Sequence, residues 1–227
     1  MSKKKFLTIV GCLIVLAGLL AGGVFLYRTR NIDSGSENSA AAEKIRKWIP
    51  GEWIIAAEGA IEAENAELHF SDTACTRLEN GQAVFERTYS INDLSHLILN
   101  DPQTDYIVEK VTDRFAKLVD SQTAVSIAMI KKEGLTAATE ADIQGSWQVA
   151  VHGGTFTESE ELSFENGSFT LTRDGQQAVQ NSYTFHEPST IEIPDLNFVM
   201  SVYSLDGNTL FLIEKGTGYV WELQKEQ

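Results

Sequence analysis

From Gly51 to its last residue the chain repeats itself at an offset of 94 residues, with no gap needed. Gly51 falls on Gly145, Trp53 on Trp147, Ala56 on Ala150 and Gly59 on Gly153. Glu67, Leu68 and Phe70 fall on Glu161, Leu162 and Phe164, Tyr89 on Tyr183, and Lys131 on Lys225. Identities spread in register over about eighty residues mark a duplication. Whatever fold one copy adopts, the other adopts too.

Within each copy apolar residues alternate with polar ones, the signature of strands with one buried face. In the second copy Trp147, Val149 and Val151 alternate, then Leu162 and Phe164, Phe169 and Leu171, Tyr183 and Phe185, Ile191 and Ile193. Phe198, Met200 and Val202 follow, then Leu210 and Leu212, then Tyr219, Trp221 and Leu223. Turn residues separate these runs, among them Asn166-Gly167, Asp174-Gly175, Pro194-Asp195 and Asp206-Gly207. The pattern predicts about eight short antiparallel strands per copy. Hairpin-linked strands leave exposed edges unless the sheet curls shut, so the expected fold is all-β: two tandem up-and-down barrels. Eight short strands enclose a space that side chains fill, so the expected cores are Trp147, Phe164, Phe169 and Trp221 with their counterparts. Arg77 stands where Leu171 stands and predicts a bulge or register change in the first copy. Two half-barrels packed as one sandwich is the alternative architecture.

A short helix precedes each copy in this reading. Ala40–Ile49 is helix-prone and Pro50 stops it. Leu135–Ile143 is the matching stretch, with Ile143 in the place of Ile49. The organisation read from the chain is a basic head at 1–5, an apolar span at 6–27, a spacer at 28–39 and two modules at 40–132 and 133–227. The span, FLTIVGCLIVLAGLLAGGVFLY, holds no charge. As a helix it would measure about 33 Å, enough for one crossing of a bilayer. Lys3, Lys4 and Lys5 before it favour an N-terminus inside and the modules outside. A cleaved signal peptide and a lipidated Cys12 are the alternatives. The apolar run is long for the first and continues past the cysteine for the second.

The charge is uneven. The chain carries −14 overall, yet residues 1–30 hold five basic residues and no acidic ones. The remainder has 13 basic against 32 acidic residues, a net of −19, which repels nucleic-acid phosphates and argues against such a partner. With Cys12 in the apolar span, Cys75 has no partner within its module, which leans toward a bacterial envelope setting.

Gly-x-Trp after a short helix, the meander that follows and a basic residue on the closing strand resemble the lipocalin-like, or calycin, pattern. More closely they resemble the abbreviated lipocalin-like domains of bacterial envelope proteins. The resemblance runs from Trp48 to Lys225. It implies that Trp53 and Trp147, following Gly51 and Gly145, pack at the barrel bases. It also implies that Lys131 and Lys225 lie over the indoles. Thr104-Asp105-Tyr106 is similar to the family's second motif, which the second copy lacks. No catalytic residue is carried over.

The chemistry of the chain is sparse. His69, His96, His152 and His186 show no metal-ligand spacing and read as surface residues. Glu62, Glu64 and Glu67, like Glu158, Glu160 and Glu161, follow a first strand and read as solvated hairpin tips. No nucleophile elbow, phosphate loop or Cys/His cluster is present, so no catalytic residue, metal or cofactor is expected. The expected function is a membrane-tethered binding or interaction protein with a lipid, small-molecule or protein ligand. The alternatives are an enzyme with its site in one barrel mouth and an envelope spacer.

Overall fold

The computed structural model describes residues 35–226, apart from Gly154 and Glu158. The basic head, the apolar span at 6–27 and most of the spacer lie outside the described residues, and so does Cys12. Among the described residues no helix is long and apolar enough to cross a membrane. Ser39–Gln227 forms one compact unit.

Helix α1 (Gly35–Trp48) leads into the first barrel. The barrel strands are β1 (Gly51–Glu58), β2 (Ile61–Glu62), β3 (Ala66–Phe70), β4 (Ala74–Glu79), β5 (Gln82–Ile91), β6 (His96–Leu99), β7 (Thr104–Lys110), β8 (Phe115–Asp120) and β9 (Ser126–Lys131). Each pairs antiparallel with its neighbour, and β1 closes on β9. Eight strands make the closed wall, and β2 is a two-residue flap on β1.

The second copy opens differently from the expectation. Leu135–Ala137 is not helical: it is strand β10, paired with a later strand of the second barrel. The helix that remains, α2 (Glu140–Ile143), is a single turn fixed by a Thr139/Asp142 capping box. The strands that follow are β11 (Gly145–His152), β12 (Thr155–Phe156), β13 (Glu160–Glu165), β14 (Ser168–Arg173), β15 (Gln176–Ser182), β16 (Thr184–His186), β17 (Thr190–Ile193), β18 (Phe198–Leu205), β19 (Thr209–Glu214) and β20 (Val220–Lys225). This barrel is nearly closed. The strand equivalent to β5 is interrupted at Tyr183 into β15 and β16, whose outer neighbours are β14 and β17.

The duplication holds at the level of register. Gly51↔Phe70 becomes Gly145↔Phe164, Ala66↔Glu79 becomes Glu160↔Arg173, and Tyr106↔Asp120 becomes Met200↔Glu214. Bulges are copied as well. The shift expected at Arg77 lies between Arg77 and Leu78, but its twin lies between Leu171 and Thr172, so Arg77 is not its cause. A second pair lies between Ile55 and Ala57 and between Val149 and Val151.

This second pair of bulges corrects the alternation read from sequence. Trp147 and Val149 point into the barrel, but the extra residue Ala150 reverses the strand. Val151, expected inside, packs outside in a separate cluster, and His152 turns inward opposite Trp221. Glu58 is turned in the same way, opposite Ile127.

Each barrel is filled. Trp147, Phe164, Phe169 and Trp221 belong to one core, and their counterparts Trp53, Phe70, Cys75 and Ile127 belong to the other. Ala42, Ile45, Trp48 and Ile49 seal the base of the first core. Each barrel curls around its own core rather than sharing a sandwich, yet the two walls dock. Ala56, Phe115 and Ile130 of the first pack with Val151, Phe211, Ile213 and Val220 of the second. This seam explains the burial of both faces of β19, where Leu210 and Leu212 fill the barrel while Phe211 and Ile213 fill the seam.

Candidate functional site

The two Gly-x-Trp motifs occupy equivalent positions at the barrel bases. Trp53 Nε1 donates to the Ile49 carbonyl and Trp147 Nε1 to the Ile143 carbonyl, each at 2.8 Å. Both indoles are fully buried. Lys131 Nζ lies 5.5 Å from the Trp53 ring centroid, and Lys225 Nζ lies 5.3 Å from that of Trp147. Gly51 and Gly145 have φ of +126° and +106°, a region that side chains avoid. A β-carbon on Gly51 would also crowd Lys131 Cε at 3.3 Å. At both ends of the chain's repeat these residues bond one another, so the geometry they form is a plug. Asp105 of the Thr-Asp-Tyr triplet faces outward and accepts from His96 Nδ1 at 2.8 Å.

The opposite ends, the mouths, carry inward-facing charge that the two copies arrange differently. In the first barrel Arg77 lies between Glu58 and Glu79, with Nη2 3.2 Å from Glu58 Oε2 and 3.0 Å from Glu79 Oε1. In the second, His152 replaces Glu58, Glu160 replaces Ala66, and Arg173 replaces Glu79. His152 Nδ1 lies 2.8 Å from Glu160 Oε2, and Arg173 Nε donates to the other oxygen. The His152 ring stacks on Trp221 at 3.7 Å. Burial alone would raise the Glu160 carboxyl. The hydrogen bond and charge of His152, and then Arg173, outweigh it and hold the group below the usual carboxylate range.

Two expectations are corrected here. His152 is not a surface histidine: it is clamped in a mouth, because the bulge turned it inward. Glu160 is not at a solvated tip: it is 7% exposed, on the same face as Leu162 and Phe164. The other histidines hold carboxylates on outer walls or edges, His69 with Glu67 at 2.7 Å and His186 with Glu192 at 2.9 Å. Glu52, Glu67 and His69 stand close enough to share a metal ion. Lys132 Nζ is already there, 2.9 and 3.0 Å from the two Glu67 oxygens and 3.5 Å from Glu52. That ammonium occupies the place a cation would take.

Two concavities meet on one short segment, Glu62–Glu64. One is the mouth of the first barrel, about 300 Å³, lined by Glu58, Ile61, Glu62, Glu64, Arg77 and Glu79 among others. The other is a cleft of about 220 Å³ along the seam, between Ile54, Ala56, Glu62 and Glu64 on one side and Ser201, Tyr203, Ile213 and Lys215 on the other. Glu62 itself crosses the seam, where Oε2 accepts from Gly216 N at 2.7 Å. Ile61 stands 70% exposed at the rim. The mouth therefore presents four carboxylates around a guanidinium already shared by two of them. Glu62 and Glu64 were legible as a pair, but nothing in the sequence placed them beside the second barrel.

A second buried carboxylate was missed. Glu222 alternates with Trp221 and Leu223 and so reads as solvent-facing, yet it is 5% exposed because the first barrel covers it. The one available signal was the unbroken apolar run Leu210-Phe211-Leu212-Ile213, which marks a strand buried on both faces. No family model, no curated protein and no solved structure matches this chain.

Proposed function

We propose that the chain is a non-catalytic binding protein, tethered to a membrane by residues 6–27, whose two barrels are lipocalin-like modules. Its recognition surface is the acidic mouth of the first barrel with the adjoining seam cleft. The observation that carries this reading is the meeting of two concavities on Glu62–Glu64 while both barrel interiors are filled. A ligand is then taken at the rim. Glu58, Glu62, Glu64 and Glu79 suit amine or guanidinium groups, and Ile61 offers an apolar contact.

Titration of isotope-labelled residues 35–227 with a lysine- and arginine-rich peptide tests the surface. Shifts centred on 58–66, 77–80 and 201–216, weakened in Glu62→Gln/Glu64→Gln, are the expected result. Shifts elsewhere, or none, would overturn it. For the tether, the full chain should partition into detergent phase while a chain starting at residue 35 stays in the aqueous phase.

One observation favours a second reading, an enzyme with its site in the second mouth. A buried carboxylate holding His152 by Nδ1 is how an imidazole is oriented for proton transfer. Turnover of an ester or phosphoester by residues 35–227, lost in His152→Gln, would decide for it.

A further inference from the structure

The seam carries a carboxyl group in an unusual setting. Glu222 sits on the outer wall of the second barrel, 5% exposed beneath the first. Its Oε2 accepts from Thr112 Oγ1 of the first barrel at 2.6 Å, and its Oε1 accepts from Gln224 Nε2 of its own strand at 3.2 Å. Among the described residues no cation pairs with it. Arg114, whose charge acts on Glu222 through space, donates to the Glu133 carbonyl at 2.7 Å, and Asp113 adds a like charge from the same loop. Thr112 in turn holds that loop, since its Oγ1 also accepts from the amides of Arg114 and Phe115, and Phe115 is part of the apolar seam. One hydroxyl thus joins the loop at 111–115, the seam core and the Glu222 carboxyl.

We propose that the buried Glu222 carboxyl, tied to Thr112 across the seam, is a proton-dependent latch: the seam closes on the neutral group and loosens when it ionises. A neutral carboxyl fits a buried position with no paired cation, while a carboxylate there, satisfied only in part by its two donors, draws water in or pushes the walls apart. Burial raises the Glu222 carboxyl above the usual range, Thr112 and Gln224 lower it, Asp113 raises it and Arg114 lowers it; the net direction is upward. For a group raised on folding, the stabilisation is complete below its unfolded value. It is lost as pH rises through the folded value, so the latch weakens as pH rises above the ordinary carboxylate range. Glu214, also raised by burial, lies at the second mouth and does not touch the seam loop. The latch would operate whether or not the mouth of the first barrel binds a ligand.

Amide hydrogen exchange of residues 35–227, corrected for the intrinsic pH dependence, tests it at pH 5 and pH 8. The expected result is that protection of the 111–115 amides falls several-fold toward pH 8 in the native chain. In Glu222→Gln, which keeps an acceptor for Thr112, it should stay level. Thr112→Val should lower protection at both pH values and keep a pH response at least as large as the native one, because the lost hydroxyl had favoured the ionised carboxylate. Equal protection at both pH values in the native chain, or an undiminished pH response in Glu222→Gln, would overturn the latch.

Discussion

Single residues show how strongly burial governs chemistry in this chain. The Cys75 thiol lies in the first core, and burial pushes it up to about 12. A thiol reagent at pH 8 should therefore leave folded residues 35–227, whose one cysteine is Cys75, unlabelled and react fully on unfolding, measured by absorbance of the released product. Glu160 works in the opposite direction, because His152 and Arg173 hold it ionised. A carboxyl lowered on folding stabilises above its unfolded value and loses that contribution as pH falls through the folded one. Urea denaturation between about pH 3 and pH 6 should show native stability falling in acid, and Glu160→Gln should flatten the slope. At neutral pH the same change should cost about 1–3 kcal/mol through its unsatisfied neighbours. The first of these was legible in the sequence and the second was not. Cys75 could be placed inside because it aligns with Phe169, but Glu160 aligns with Ala66 and sits in an acidic run, which reads as solvent.

At the scale of strands, hairpins and turns the sequence was far more informative. Strand positions, turn residues and the inward set followed from period two, since a half-buried strand must alternate. What period two cannot reveal is an extra residue, and Ala56-Ala57 or Ala150-Val151 offers no polar mark that the phase has changed. The bulges decide which side chains reach the mouths and which reach the seam. The loop joining β19 and β20 shows a second kind of constraint. Gly218 has φ of +66°, and a β-carbon there would overlap the Ala56 carbonyl oxygen and the Ala57 side chain. Gly218→Ala should cost about 2 kcal/mol or more, read by chemical denaturation. The equivalent Ala124 is exposed at φ +60°, a conformation glycine favours, so Ala124→Gly should be neutral or slightly stabilising.

For the whole molecule the seam turns two modules into one body. Phe211 and Phe115 are fully buried there, so the barrels should unfold in a single transition. Phe211→Ala should cost about 3–5 kcal/mol. Phe211→Asp should go further and split the transition in two, which calorimetry would resolve. The docking of the barrels escaped the sequence because alternation describes one module at a time. The run at 210–213 was its only trace.

Because the two copies share register residue for residue, every strand has two addresses during folding. Strand β3 fits β11 as well as β1 by backbone spacing, and β20 fits either closing position. Only side chains can tell the addresses apart. Glu160 against Ala66, Arg77 against Leu171 and Phe211 against Lys117 are the places where a misplaced strand would bury a lone charge or strand an aromatic ring in water. The polar differences between the copies thus act as postal codes. A chain with them erased would retain both barrels on paper and lose the means to sort its own strands into them.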